Sequence, residues 1–300
     1  MLFNKEQIIT QRLHDELFDR KKLSLDILRL DKIHPVVSGN KLFKLHYFLE
    51  EAQKKPGKPI ITFGGAYSNH LAATAFACQQ LGIPCKGIVR GEKRALLSHT
   101  LQNCLQWGME LQFISRQSYA EKDTDHFKNS LNTGFDDCIT IPEGGYDTRG
   151  AAGAALIMNY IDKKATHICA AIGTATTLAG ISAAADTTQK TIGIPVLKGM
   201  TDIEDRVHFL NSNSDTPRIE SLNGYHFGGY AKYNNDLIDF MNKLYLGHGL
   251  PTDFVYTAKM MYAVFDLIKK DYFPPGSKIV CIHTGGLQGN LSLPANTLTF

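Results

Sequence analysis

Three times along this chain a short, continuous apolar run ends in a glycine-rich turn. Residues 59–63 run into Gly64-Gly65-Ala66, and 67–80 then read as a helix. Residues 167–172 run into Gly173-Thr174-Ala175-Thr176, with a helix of Ala and Leu beyond. Residues 278–282 run into His283-Thr284-Gly285-Gly286. Further strands are expected at 86–89, 111–114, 138–141 and 191–197, with helices at 42–53 and 256–270. Uninterrupted apolar strands alternating with helices predict an α/β protein whose parallel sheets are covered by helices on both faces. In such sheets ligands collect beyond the carboxyl ends of the strands, where these turns lie. No linker rich in Pro or Ser divides the chain. Residues 48–153 hold a self-contained set of strands and helices, expected to form a small domain inserted into a larger one built from 1–47 and 154–300.

Composition removes several function classes. The formal net charge is +3 over 300 residues, and Lys and Arg are scattered without a basic stripe, which argues against nucleic-acid and anionic-membrane binding. The six cysteines (Cys78, Cys85, Cys104, Cys138, Cys169, Cys281) lie far apart with no C-x-x-C pair. That spacing suits reduced cytosolic thiols better than a disulfide frame or a zinc site, so no metal is expected. The first twenty residues carry Asp and Glu and no apolar stretch of signal-peptide type, and no segment has the length of a membrane span. The expectation is a cytoplasmic α/β protein.

Five segments could carry chemistry. In Ser38-Gly39-Asn40-Lys41, Gly39 permits a tight approach, Asn40 or Ser38 could cap the following helix, and Lys41 would point from the helix start toward a cleft. Taken alone, such a lysine is more often an ordinary surface residue. In Gly64-Gly65-Ala66-Tyr67-Ser68-Asn69-His70, free backbone N–H groups at a helix start suit a carboxylate or other anion, although taken alone the segment is more often a plain strand-to-helix cap. It is not the G-x-S-x-G elbow of a hydrolase. The turn Gly173-Thr174-Ala175-Thr176-Thr177 could cradle a phosphate with N–H and hydroxyl groups, but matches neither G-x-G-x-x-G nor a Walker loop. The last two segments are Asp253 to Lys259, with Gly228-Gly229-Tyr230 upstream, and Ile282 to Gly289. There, tyrosines at a helix start and a buried histidine are unremarkable one at a time.

Taken in order, G-N-K-x-x-K-L, G-G-x-x-S-N-H, I-P-E-G-G, G-T-x-x-T-x-A-G, V-Y-T-x-K and H-T-G-G-x-x-G resemble the aminocyclopropane-carboxylate deaminase and D-cysteine desulfhydrase family. The resemblance runs from about Arg12 to Gly289 and is weakest from about Gly199 to Asn223. It implies a two-domain, tryptophan-synthase-β-like fold (fold type II), pyridoxal 5'-phosphate (PLP) as cofactor, a small amino acid as substrate and a homodimer. By that similarity Lys41 forms the Schiff base with the cofactor, and Lys44 reaches its phosphate beside the turn of Gly173, Thr174, Ala175, Thr176 and Thr177. Asn69 lies beside the pyridine O3', and Thr284 is the hydroxyl partner of the pyridine nitrogen. Ser68 matches a catalytic serine at the substrate, the helix start through Asn69 and His70 holds the substrate carboxylate, and Tyr230 and Tyr256 face the substrate as catalytic candidates for acid–base assistance or alignment. A hydroxyl at the ring nitrogen, unlike a carboxylate, does not enforce protonation and leaves a milder electron sink.

Two departures from the family pattern shape the expectation. Ala175-Thr176 stands where two adjacent glycines are usual, and side chains there restrict the backbone of the phosphate turn. Tyr256-Thr257 resembles the desulfhydrase branch, whereas the deaminase branch has V-Y-E; His70 after Asn69 points the same way. The expected reaction is β-elimination of D-cysteine to pyruvate, sulfide and ammonia, with Lys41 as the base that takes the α-proton. The alternatives are 1-aminocyclopropane-1-carboxylate deaminase and a non-catalytic protein that binds PLP or an amino acid.

Overall fold

The structure, a computed structural model, describes residues 5–34, 37–124, 127, 138–211 and 219–300. Two sheets organise them. A six-stranded sheet has the order β1-β2-β10-β7-β8-β9, built from β1 (Ile9–Leu13), β2 (Ser24–Arg29), β7 (His167–Ile172), β8 (Lys190–Pro195), β9 (Ile219–Ser221) and β10 (Lys278–His283). A four-stranded sheet has the order β5-β4-β3-β6, from β3 (Ile60–Gly64), β4 (Cys85–Arg90), β5 (Glu110–Ile114) and β6 (Ile139–Ile141). The second sheet is parallel throughout, with Ile60 level with Cys85 on one side and Ile139 on the other. The first is mixed. β1 runs antiparallel to β2, Ile9 facing Arg29, while the remaining neighbours are parallel. The expected parallel α/β sheets are present, with an antiparallel edge pair added to the first. The strand ITQRL has no apolar alternation and is largely exposed, as an edge strand can be, so neither it nor its partner SLDILR announced itself.

Every residue of β7 and of β3 is buried, the condition for strands covered on both faces. The covering helices that matter for function are α2 (Asn40–Lys54), α3 (Asn69–Leu81), α6 (Thr148–Ala155), α7 (Thr176–Ala184) and α10 (Thr257–Lys269). Three of them meet almost backbone to backbone. A Cβ on Gly153 of α6 would lie 2.1 Å from the Phe43 carbonyl of α2, and one on Gly180 of α7 would lie 2.2 Å from the Ala151 carbonyl. Hence the small residues that look featureless in sequence: larger ones would push apart the helices that bring residues 41, 44 and 173–177 together. Two large apolar clusters result, one around Phe48, Leu45 and Leu71 and one around Ile27, Met260 and Ile279. Among the described residues no helix is long and apolar enough to cross a membrane.

Candidate active site

Lys41 is the second residue of α2, and the chain reaches it through an interlock of two glycine turns. Gly39 has φ +88°, and its backbone passes so close to the turn after β10 that a Cβ there would sit 1.9 Å from the Thr284 carbonyl oxygen. Reciprocally, Gly285, φ +75°, would bring a Cβ to 2.8 Å from Ser38 Oγ. The Asn40 N–H donates to the Thr284 carbonyl at 3.3 Å. Neither Ser38 nor Asn40 caps the helix as the sequence suggested. Gly39 occupies the cap position, and the Asn40 side chain instead donates to Thr177 Oγ1 at 2.6 Å and accepts from Lys41 Nζ at 2.9 Å. One buried amide thus ties the lysine to the hydroxyl turn.

The amine of Lys41 is pushed down to about 8 by burial, partly offset by the charge of Asp253. One turn on, Lys44 is buried and donates to the Gly144 carbonyl at 2.9 Å. Burial and the nearby Lys41 hold its amine well below the usual lysine range. Facing both is the N-terminus of α7. Ala175 precedes that helix at φ +66°, a left-handed conformation that an alanine adopts only at a cost of roughly 1–2 kcal/mol. It is therefore a position whose geometry suits glycine, as the family pattern implied. Thr174 Oγ1 lies 2.9 Å from Thr176 Oγ1.

At the start of α3, Ser68 Oγ accepts from Leu71 N at 3.2 Å, which leaves its own proton free to donate. The N–H groups of Asn69 and His70 fall in the first helical turn and have no intrahelical acceptor. Asn69 Oδ1 is buried and unpartnered among the described residues. The His70 ring turns away into the sheet: Nε2 is 2.9 Å from Thr62 Oγ1, whose hydroxyl donates to Ile141 O, so Nε2 is the donor. Burial, with Lys41 and Lys44 nearby, drops this imidazole to about 3 and keeps it neutral. Any part played by His70 at the helix start therefore falls to its backbone N–H.

On the opposite wall, Tyr256 precedes α10. Its ring is 5.9 Å from Lys41 Nζ and meets Tyr230 edge to face, centroids 6.1 Å apart. Burial, reinforced by Tyr230, pushes the Tyr256 hydroxyl well above the usual tyrosine range and keeps it protonated. Asp253 sets this corner. Fully buried, it accepts the N–H groups of Val255, Tyr256 and Thr257 at 2.9–3.0 Å and the Thr257 hydroxyl at 2.7 Å.

These groups converge. A narrow cavity of about 60 Å³ is lined by Lys41, Lys44, Asn69, Gly173, Thr174, Ala175, Thr177, Tyr256 and Thr284, among others. It shares Lys41, Asn69, Gly144, Gly173, Thr174 and Tyr256 with a wider cleft of about 660 Å³ that adds Ser68, His70 and Tyr230. Lys41 stands at the junction. Of the residues to which the resemblance gave a site role, Thr176 alone lines neither space; it is buried, with its hydroxyl against that of Thr174. Three structural partners were missed. Asp253 could have been suspected, since an Asp just before a helical apolar run signals a cap. Asn40 was read as a cap rather than as a bridge. Lys259, fully buried behind the tyrosines, carried no sequence signal beyond its place in a motif.

The sequence pattern of the family described as "Pyridoxal-phosphate dependent enzyme" matches residues 19–285. A putative 1-aminocyclopropane-1-carboxylate deaminase of Pyrococcus horikoshii is 29% identical over 272 residues, covering 84% of this chain and 81% of its own. The D-cysteine desulfhydrase of Salmonella choleraesuis is 26% identical, covering 86% of each chain. A crystal structure of a homologue of aminocyclopropane-carboxylate deaminase superposes with a TM-score of 0.77 at 25% identity, covering 95% of this chain and 90% of that one.

The residues present fit the cofactor. The amines of Lys41 and of buried Lys44 share one cavity with a helix N-terminus, and among the described residues no carboxylate contacts Lys44, an arrangement that favours an anion such as a phosphate. The unpartnered Asn69 Oδ1 marks buried polar capacity that the protein itself does not satisfy. At Gly173 a Cβ would press on the Tyr256 ring at 3.1 Å, so a side chain there would crowd the wall that the cavity and the cleft share.

Proposed function

This chain belongs to the pyridoxal-phosphate-dependent enzymes, and on that premise we propose that it is a D-cysteine desulfhydrase, eliminating sulfide from the β-carbon. The observation that carries the choice of reaction is Thr257. Its hydroxyl donates to Asp253 at 2.7 Å and accepts the Asp253 N–H at 2.8 Å, so position 257 is turned into the capping knot and away from the cleft. A glutamate there, as in the deaminase-type V-Y-E, would set its carboxylate against the buried carboxylate of Asp253. The corner is built for tyrosine hydroxyls, not for an added acid at 257. The desulfhydrase relatives support the same reading, and the deaminase relatives make ring opening the competing outcome.

PLP, when bound, supplies an aldehyde for the substrate amine and a ring that absorbs charge at the α-carbon. Lys41, at the junction of cavity and cleft, is the group we assign to it. With an amine near 8, Lys41 is close to the range in which a base can accept the α-proton at neutral pH. The α3 start, through the N–H groups of Asn69 and His70 and the Ser68 hydroxyl, orients the substrate carboxylate. Tyr256, held protonated, is the proton donor we place toward the departing sulfur, with Tyr230 packed against it. D-cysteine and one water become pyruvate, hydrogen sulfide and ammonia, so sulfide and pyruvate leave in equal amounts.

The test is a product assay on D-cysteine, L-cysteine and 1-aminocyclopropane-1-carboxylate, with Lys41→Ala as control. Equal sulfide and pyruvate from D-cysteine, abolished in Lys41→Ala along with the visible cofactor band, is expected. Formation of 2-oxobutyrate without sulfide would make it a deaminase instead. Purified protein that, with added PLP, gives no borohydride-sensitive visible band refutes the assignment of Lys41.

A further inference from the structure

The segment that carries Tyr230 has an unusual backbone. Of residues 227–231, four have positive φ: Phe227 at 51°, Gly228 at 92°, Gly229 at 119° and Ala231 at 51°. Glycine takes such angles freely, whereas Phe227 and Ala231 need something to hold them there. Two turns follow each other directly. The Gly229 N–H donates to His226 O at 3.0 Å, and the Lys232 N–H donates to Gly229 O at 3.2 Å. Both turn-closing carbonyls receive a second donor from one side chain: Lys259 Nζ reaches His226 O at 2.8 Å and Gly229 O at 2.7 Å.

Lys259 is completely buried, on α10 one turn beyond Tyr256. Its neighbours on that helix grip the same segment. Tyr256 meets Tyr230 edge to face, and Tyr262 meets Phe227 edge to face with centroids 4.9 Å apart. Residues 256, 259 and 262 are spaced by three and so share a helical face, holding the segment at three points. Burying a lysine is costly, and burial lowers this amine to about 8. Simple packing of α10 needs only an apolar side chain. An ammonium makes sense at this position where a donor for two carbonyls is required.

We infer that Lys259 is a positioning residue: by holding the carbonyls of His226 and Gly229 it fixes the two turns from which Tyr230 enters the cleft, and its contribution to turnover runs through Tyr230. The inference rests on the reading of Tyr230 as a substrate-facing residue.

A double-mutant cycle on the PLP-loaded enzyme tests it, using Tyr230→Phe, Lys259→Met and the pair, with kcat/KM, the visible cofactor band, melting temperature and amide exchange over 226–232 as readouts. Each single change is expected to lower kcat/KM at least about tenfold, and the pair to be within about twofold of the worse single. The cofactor band should persist in Lys259→Met, because Lys41 and the phosphate turn lie on other elements, while exchange at 226–232 speeds up. If Tyr230→Phe alone leaves kcat/KM unchanged, it is the placement of Tyr230 in the reaction that fails. If Tyr230→Phe is impaired and Lys259→Met is not, or the two losses multiply, the inference is overturned. Should Lys259→Met not yield folded protein, the cycle is run with Lys259→Gln, whose amide keeps two N–H donors. It should retain more activity than Tyr230→Phe and still show no added loss in combination, whereas multiplying losses overturn the inference there too.

Discussion

Replacing Gly39 by alanine is expected to separate the two turns that bring Lys41 and Thr284 together. The new Cβ would fall 1.9 Å from the Thr284 carbonyl oxygen, about 1.5 Å short of the 3.4 Å at which contact becomes ordinary. The partner atom is backbone, flanked by Gly285, which itself has no slack against Ser38 and Gly39. A φ of +88° adds a conformational cost of about 1–3 kcal/mol. With the displacement, the total comes to about 3–5 kcal/mol, at the upper end for a single change. Gly57 provides the control: its φ is +87°, but nothing lies within 4 Å of a Cβ there. Gly57→Ala therefore incurs the conformational cost alone. At about 2 °C of melting temperature per kcal/mol for a chain of this size, Gly39→Ala should melt about 6–10 °C below wild type and Gly57→Ala about 2–6 °C below. Because the shift acts on the turn of Thr284 and on the residues before Lys41, Gly39→Ala should also weaken PLP retention at least about tenfold, read by titrating the visible band, and Gly57→Ala should not. A Gly39→Ala protein that melts like Gly57→Ala and binds PLP as wild type does would refute the interlock.

Two further outcomes follow from strain and from burial. Ala175→Gly relieves a left-handed alanine at the head of α7 and should raise the melting temperature by about 1–3 °C and tighten PLP binding; a loss in either measurement would show that the methyl group is useful. For Lys259, the folded amine near 8 lies below its unfolded value near 10.5, so between these the unfolded chain holds a proton that the folded chain has released. Stability from this group therefore rises with pH across that window. The melting temperature of wild type should gain on that of Lys259→Met between pH 7.5 and 9.5, and a gap that stays constant or moves the other way would show that the buried amine titrates normally.

The periodic part of the molecule was legible because burial on both faces writes itself as continuous apolar runs. The seven strands expected from sequence all occur with ends within two residues. What escaped was whatever lacked that signature: β1, whose exposed ITQRL pairs antiparallel with β2, can be recognised only once a neighbouring edge exists for it to join. Likewise the order of motifs named the chemistry, and the glycine-rich turns marked where to look, because ligands in parallel α/β sheets sit at strand ends.

The sequence alone determined which residue types were available: a lysine after Gly39, hydroxyls after Gly173, tyrosines ahead of a helix. Only the tertiary structure decided what each side chain faces. Asn40 and Ser68 look alike as caps, yet Asn40 reaches Thr177 across 137 positions and ties Lys41 to it, while Ser68 caps locally. His70 and Thr257 sit inside site motifs, yet both turn their side chains inward, to Thr62 and to Asp253. Lys259 carries no role that local pattern can express, since its partners, the carbonyls of His226 and Gly229, meet it only when the chain folds. Spacing along a chain fixes neighbours on a helix or strand; which of those neighbours meets a cavity depends on how separate elements cross, and that is settled by packing.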